Sequence, residues 1–289
     1  GVDSVLNARV KECAPFENVY TLALRGLHDR AMNASNDMGD RKDMLQEALM
    51  AQRQMLIDAI GKPGEEIPQA FTPYKEVLDV YDEGLELPDD VTIIWPDDNY
   101  GYMKRLSSPK EQKRSGRSGV YYHSSYLGKP HDHLWMNTIS PTLMYEELRK
   151  AYDATADRIW LLNAGDIKSC EFAVDYFLTM AFDIDSFNFE RAANYRTEWL
   201  CGMLGDQYRN EYQDVVNSFY KLAFARKPEF MGWGYQWTTD KHGRERNTDT
   251  DFSLTNYREV DNRLSEYRRI GSTVEKILNL SLIHISEPT

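Results

Sequence analysis

Side chains able to do acid–base chemistry cluster where short apolar runs of this sequence stop. Val91–Pro96 (VTIIWP) gives way to Asp97-Asp98-Asn99-Tyr100-Gly101, and Gly119–Tyr122 (GVYY) gives way to His123-Ser124-Ser125-Tyr126. Arg158–Leu162 (RIWLL) runs into Asn163-Ala164-Gly165-Asp166. Asp29, Asp97, Asp98 and Asp166 stand at or near such ends, and Glu76 falls on a helical stretch between two of them. Two carboxyls either side of a glycosidic bond suffice for its hydrolysis, one giving a proton and the other activating water. Singly, each Asp reads as a helix cap or a loop residue. Together they read as one polar pocket.

Histidines raise an alternative. His28, His123, His131 and His133 invite a metal-dependent hydrolase, built on His28, His123 and Asp97, because His-x-His at a strand end can bind zinc. Against it, His131-Asp132-His133 sits in a Gly/Pro-bounded loop, and no later His at a strand end completes a set. Hydrogen-bonding or core histidines, and no metal, are the expectation. No Gly-x-Ser-x-Gly appears, and no Cys neighbours a His. Gly-x-Gly-x-x-Gly and P-loop patterns are absent too, so no nucleotide or other cofactor is expected.

Strands must present these groups. A continuous apolar run is the mark of a strand buried on both faces, and the loops after parallel barrel strands carry chemistry. Val19–Leu24 (VYTLAL) reads as another such strand, ended by Arg25-Gly26-Leu27-His28-Asp29. Between the strands fall helices. Arg41 to Ile60 repeats apolar pairs at the helical period, with Asp40 as its N-cap and Gly61 and Pro63 as its stop. Pro73 opens a second helix carrying Tyr74, Glu76 and Val77. Leu134–Asn137 is read as a brief extra strand. Ser140-Pro141 caps a third helix, and a fourth spans Ser169 to Ala181. Alternating strands and helices give an α/β fold class, a partial (β/α)8 TIM-type barrel, and four βα units can be counted. From Asp185 onward the pattern is aromatic-rich and helical, with a last helix from Ser253 to Ile277. The domain expectation is a catalytic barrel over 1–184 and an all-α helical domain over 185–279. Trp233, Tyr235 and Trp237 in the latter are expected to pack rather than to bind.

Bulk composition narrows the partners. With 289 residues and 42% hydrophobic content the chain can bury a sizeable core. A net charge of −12 disfavours nucleic acid, which needs clustered Lys and Arg. The one basic stretch, Lys104 to Arg117, reads as a solvated connection. No run of about 18 apolar residues is present, so no membrane helix is expected. Cys13, Cys170 and Cys201 offer neither a disulfide framework nor a zinc spacing. The ends read as those of a fragment: Gly1 is not an initiator Met, and Leu280–Thr289 (LSLIHISEPT) resembles translated adaptor or cloning read-through.

In the order DDNYGYMKRL (97–106), GVYYHSSYLGKPHDHLW (119–135) and RIWLLNAGDIK (158–168), after RGLHD (25–29), the chain resembles glycoside hydrolase family 115, the xylan α-1,2-glucuronidases. The resemblance covers Val19 to Phe187 well and the helical remainder more loosely. It implies an inverting glycosidase that removes glucuronic acid, or its 4-O-methyl ether, from xylan. It also implies a (β/α)8 barrel followed by helices. Substrate-binding positions implied are Arg25, His28, Tyr74, Asn99, Tyr121, His123, Tyr126 and Asn163. Glu76 is the candidate general acid, and Asp29 or Asp97 the candidate general base. Arg25 or Lys75 would clamp the uronate carboxylate. The expected partner is glucuronoxylan or its oligosaccharides, with a homodimer for the full-length protein and a secreted or periplasmic location. A carbohydrate-binding fragment without turnover is the non-enzymatic alternative.

Overall fold

The computed structural model describes residues 2–26, 31–32, 37–232 and 238–286. His28, Asp29, Trp233, Tyr235 and Trp237 lie outside the described residues. The chain divides into two compact units. The first comprises Gly1–Asp98, Tyr102–Tyr122 and Leu148–Leu161; the second comprises Asn99–Gly101, His123–Glu147 and Leu162–Thr289.

Strands and helices alternate as expected. Helix α1 (Val2–Cys13) is followed by β1 (Tyr20–Thr21), α2 (Met38–Ile60), β2 (Gln69–Phe71), α3 (Glu76–Asp82) and β3 (Thr92–Pro96). Then come β4 (Ser118–His123), α4 (Pro141–Asp153) and β5 (Trp160–Asn163). The five strands form one sheet in chain order, β1-β2-β3-β4-β5. Tyr20 pairs with Gln69, Ala70 with Thr92 and Ile93 with Ser118, each in a parallel register. Parallel strands in chain order, joined by α2, α3 and α4 and, between β3 and β4, by a loop with one 3-10 turn at Glu111–Lys113, make a partial α/β barrel.

One strand escaped the sequence pattern. β2 has only three residues, enclosed between Pro68 and Pro73, too short for any apolar run to announce it. Among the described residues there are therefore five such strands rather than four. The strand expected over Val19–Leu24 shortens to Tyr20–Thr21, although Leu22 N still donates to Ala70 O at 2.8 Å. α2 begins earlier than Arg41. Its N-cap is Asp37, not Asp40: the Asp37 side chain accepts from Asp40 N at 3.0 Å, and Gly61 closes the helix at φ 73°. Leu45, Leu49 and Leu56 on one face of α2 pack with Leu22, Phe71, Val77, Val80 and Val91 in the core. β3 is buried throughout, as its apolar run requires. Gly119 permits close approach of the next strand, because a Cβ there would lie 2.0 Å from Ile159 O.

The basic stretch is solvated at Lys104, Lys110 and Lys113, as expected, but its arginines are anchored. Arg105 stacks over Trp95 (4.6 Å) and Tyr81 (5.1 Å), and donates to Glu111 at 2.9 Å. Arg114 donates to the carbonyls of Leu87, Pro88 and Val91. Its guanidinium thus satisfies a loop that precedes β3. Burial, with the hydrogen bond to Glu111 second, pushes the Tyr81 hydroxyl up to about 12.

The second unit is dominated by helices α5 (Ile167–Phe182), α6 (Phe189–Leu204), α7 (Arg209–Ala225) and α8 (Glu259–Ser286), with a short hairpin pairing Thr238–Thr239 with Glu245–Arg246. α8 starts later than Ser253, after a one-turn 3-10 segment at Asn256–Arg258. The extra strand expected at Leu134–Asn137 is not formed; an antiparallel bridge between Tyr126 and His133 precedes it. Between α5 and α6, Phe172, Tyr176, Phe187 and Tyr195 pack ring against ring at 4.9–6.3 Å.

Candidate active site

Candidates sit at the C-terminal ends of successive strands. Arg25 follows β1, Tyr74 and Glu76 follow β2, Asp97 immediately follows β3, Tyr121 and His123 close β4, and Asn163 closes β5. That end of a parallel barrel is where loops gather catalytic groups.

In the first unit the structure brings Arg25, Tyr74, Glu76 and Tyr121 together. Arg25 Nε donates to Glu76 Oε1 and Arg25 Nη2 to Glu76 Oε2, both at 3.2 Å. This two-pronged geometry matches guanidinium to carboxylate, with the side chains 16% and 22% exposed. The Tyr74 ring lies under the Arg25 guanidinium (5.4 Å) and the Lys75 ammonium (5.0 Å), and meets Tyr121 edge-on at 5.9 Å. Glu76 is the first residue of α3, not a mid-helix residue as a start at Pro73 would make it. Lys75 before it adopts φ 53°, ψ −121°, and Val77 N donates to Tyr74 O at 3.1 Å. These are the angles of the first central position of a type II′ turn, a place that favours glycine. A lysine held there carries backbone strain between two candidate site residues.

Asp97 is buried, 2% exposed, with its N–H donating to Tyr121 O at 3.1 Å. Its neighbour Asp98 serves the turn: Asp98 N donates to Tyr102 O at 2.8 Å and Asp98 Oδ1 accepts from Tyr102 N at 3.1 Å. Asp166 is an exposed residue at the N-cap position of α5. Both fit the bland reading of a lone Asp.

In the second unit the candidates gather around Tyr100, a residue absent from the sequence-derived set although it stands within the Asp97–Gly101 burst. Its hydroxyl donates to His131 O at 2.6 Å and accepts from His131 N at 3.1 Å. Its ring meets Tyr126 (5.9 Å), His133 (5.2 Å) and Phe230 (5.6 Å). His133 Nε2 lies 2.6 Å from Asn99 O, so that nitrogen carries the proton and donates. Asn99 itself turns the chain at φ 75°. His123 packs edge-on against Tyr126 at 5.6 Å. Asn163 O accepts from Ser124 N, Ser125 N and Ser124 Oγ at 3.0–3.2 Å, and Gly165 (φ 60°) lets Ser125 approach, since a Cβ there would meet Ser125 Oγ at 2.5 Å. His123, His131 and His133 are all buried. Among the described residues no group of three His, Cys, Asp or Glu side chains is placed to share a metal ion.

The model of the glycosyl hydrolase family 115 matches residues 1–230. The chain belongs to that family. A solved family 115 structure, a 4-O-methyl-α-glucuronidase with specificity for decorated arabinogalactans, is 40% identical with a TM-score of 0.87. The alignment covers 96% of this chain and 36% of that one, so this family 115 chain spans about a third of the neighbour's length. A Proteus mirabilis N-acetylneuraminate lyase aligns at 10% identity with a TM-score of 0.25, over 93% of this chain and 92% of its own, and carries no argument. No curated protein matches the chain.

Proposed function

We propose that the whole protein is an inverting glycosidase that removes glucuronic acid or its 4-O-methyl ether from a polysaccharide branch. The Arg25–Glu76 pair over Tyr74, at the ends of β1 and β2, supports this reading most directly. A uronate needs a cation for its carboxylate and an acid for its glycosidic oxygen, and the pair holds one of each.

Glu76 is the general acid. As arranged, both its oxygens accept from Arg25, leaving no oxygen that presents a proton. A substrate carboxylate competing for the Arg25 fork would release a Glu76 oxygen toward the leaving oxygen, where a general acid must stand. Lys75, strained in place beside Tyr74, is the second cation of the clamp. Asp97, buried at the end of β3, or Asp29 is the base that activates water. His28, Asn99, Tyr121, His123, Tyr126 and Asn163 serve hydroxyl recognition, with Tyr74 as a ring platform.

Glucuronoxylan is the backbone that the sequence motifs imply, through α-1,2 linkages. A decorated arabinogalactan is the second reading, favoured by the specificity of the 40% identical neighbour. Our proposal includes a catalytic barrel over 1–184 with a helical domain over 185–279, a homodimer, and a secreted or periplasmic location. Glucuronic acid release from the two polysaccharides decides between the substrates. Calorimetry with glucuronate on the wild-type chain and on Arg25→Ala tests the clamp: binding as tight in the variant as in its parent would remove Arg25 from it.

A further inference from the structure

Glu229 is a half-buried glutamate, one of whose carboxyl oxygens is fully buried, that the proposed reaction does not use. It sits in the 3-10 turn Pro228–Phe230 that follows α7. Its Oε2 is buried without a hydrogen-bond partner among the described residues. Its carboxyl accepts from its own backbone N–H, but a carboxylate oxygen buried without a partner is costly, whereas the neutral carboxyl costs far less.

The turn is fastened to the loop between β4 and α4. Lys227 Nζ donates to Thr138 O at 3.2 Å and to Thr138 Oγ1 at 3.4 Å. Arg226 Nη1 donates to Phe230 O at 3.3 Å while pairing with Asp251. The Phe230 ring lies 4.1 Å from His131 and meets Tyr100 edge-on at 5.6 Å. Tyr100 in turn holds the backbone of His131, and His133 holds the carbonyl of Asn99. Glu229 thus occupies the turn that backs the loops of Asn99 and Tyr126. Burial pushes its carboxyl above the usual glutamate range, with the hydrogen bond from its own backbone N–H and then the charges of Lys227 and His131 pulling the other way. Those two groups, with Arg226 and its partners Asp251 and Glu259 at the root of the turn, are the charged groups that the described residues set around it.

We propose that Glu229 is a positioning residue that works as a proton latch: neutral, it lets the turn seat against His131 and Tyr100 and so holds the loops of Asn99 and Tyr126; ionised, it loosens that seat. Its consequence for ligand rests on the reading that Asn99 and Tyr126 contact the sugar. If only the neutral form is competent, glucuronate affinity falls about tenfold per pH unit above the Glu229 midpoint.

The test is a side-chain NMR titration of the whole chain, following the Glu229 carboxyl carbon and the ring signals of His131 and Tyr100. The expected result is a Glu229 midpoint above the ordinary glutamate range, His131 and Tyr100 signals moving with that midpoint, and loss of the shared transition in Glu229→Gln. A Glu229 midpoint in the ordinary range would overturn the proposal. So would ring signals that ignore the midpoint, or that keep the transition in Glu229→Gln. The wild-type titration stands without the variant, should Glu229→Gln fold poorly. Shared titration together with no glucuronate binding at any pH would support the latch while removing the sugar-site reading it was tied to.

Discussion

Arg25 and Glu76 lie 51 positions apart in sequence, yet the guanidinium of one grips both oxygens of the other at 3.2 Å. β1 and β2 run parallel as neighbours, so the loops leaving their C-terminal ends meet. The pair is largely shielded from solvent, and removing one partner leaves the other charge poorly compensated. Arg25→Ala is therefore expected to lower the melting temperature and to weaken glucuronate binding by about tenfold or more. Thermal unfolding and calorimetry on one preparation read both effects.

Lys75 allows strain and charge to be separated. Lys75→Gly relieves the positive-φ penalty and removes the ammonium, whereas Lys75→Ala removes the ammonium and keeps the strain. The glycine variant is expected to be more stable than the alanine variant by about 1 kcal/mol. Both are expected to bind glucuronate more weakly than the wild type. Equal melting temperatures for the two variants would contradict the turn assignment.

Tyr81 supplies a pH prediction. Its hydroxyl is raised from 10.0 to about 12, first by burial and then by its hydrogen bond to Glu111. A raised folded-state value means that the folded chain keeps a proton the unfolded chain gives up. The stabilisation is therefore complete below pH 10 and disappears as pH rises through about 12. Ultraviolet titration of phenolate is expected to show one tyrosine ionising near pH 12 that Tyr81→Phe removes.

Gly119 tests the sheet itself. A methyl group there would press on Ile159 O at 2.0 Å, a backbone atom that cannot swing aside. Gly119→Ala is expected to cost about 3 kcal/mol, read by denaturant unfolding. An unchanged midpoint would contradict the close pairing of β4 and β5.

Much of this was legible in the residues, and the exceptions have physical reasons. The runs VTIIWP and GVYY announced β3 and β4 because buried parallel strands need continuous apolar sequence. β2 stayed hidden because three residues between prolines carry no period. The α2 cap was misplaced by three residues because Asp37 and Asp40 are equally good cap types, and only the bond between them shows which one accepts. Arg105 and Arg114 looked solvated because a basic loop in sequence gives no sign of the rings and carbonyls that will receive it. In the site, strand-end carboxyls and amides were visible one by one. The pairing of Arg25 with Glu76, the hub position of Tyr100 and the buried Oε2 of Glu229 depend on long-range packing.

The general-acid role of Glu76 is tested most directly by comparing two substrates in Glu76→Gln on the whole protein. A decorated polysaccharide needs a proton on its leaving oxygen, whereas α-glucuronosyl fluoride loses fluoride with little acid assistance. The expected result is a loss of about a hundredfold or more on the polysaccharide with near-parental hydrolysis of the fluoride. Parallel losses on both substrates, or no loss on the polysaccharide, would contradict the assignment of Glu76 as the proton donor.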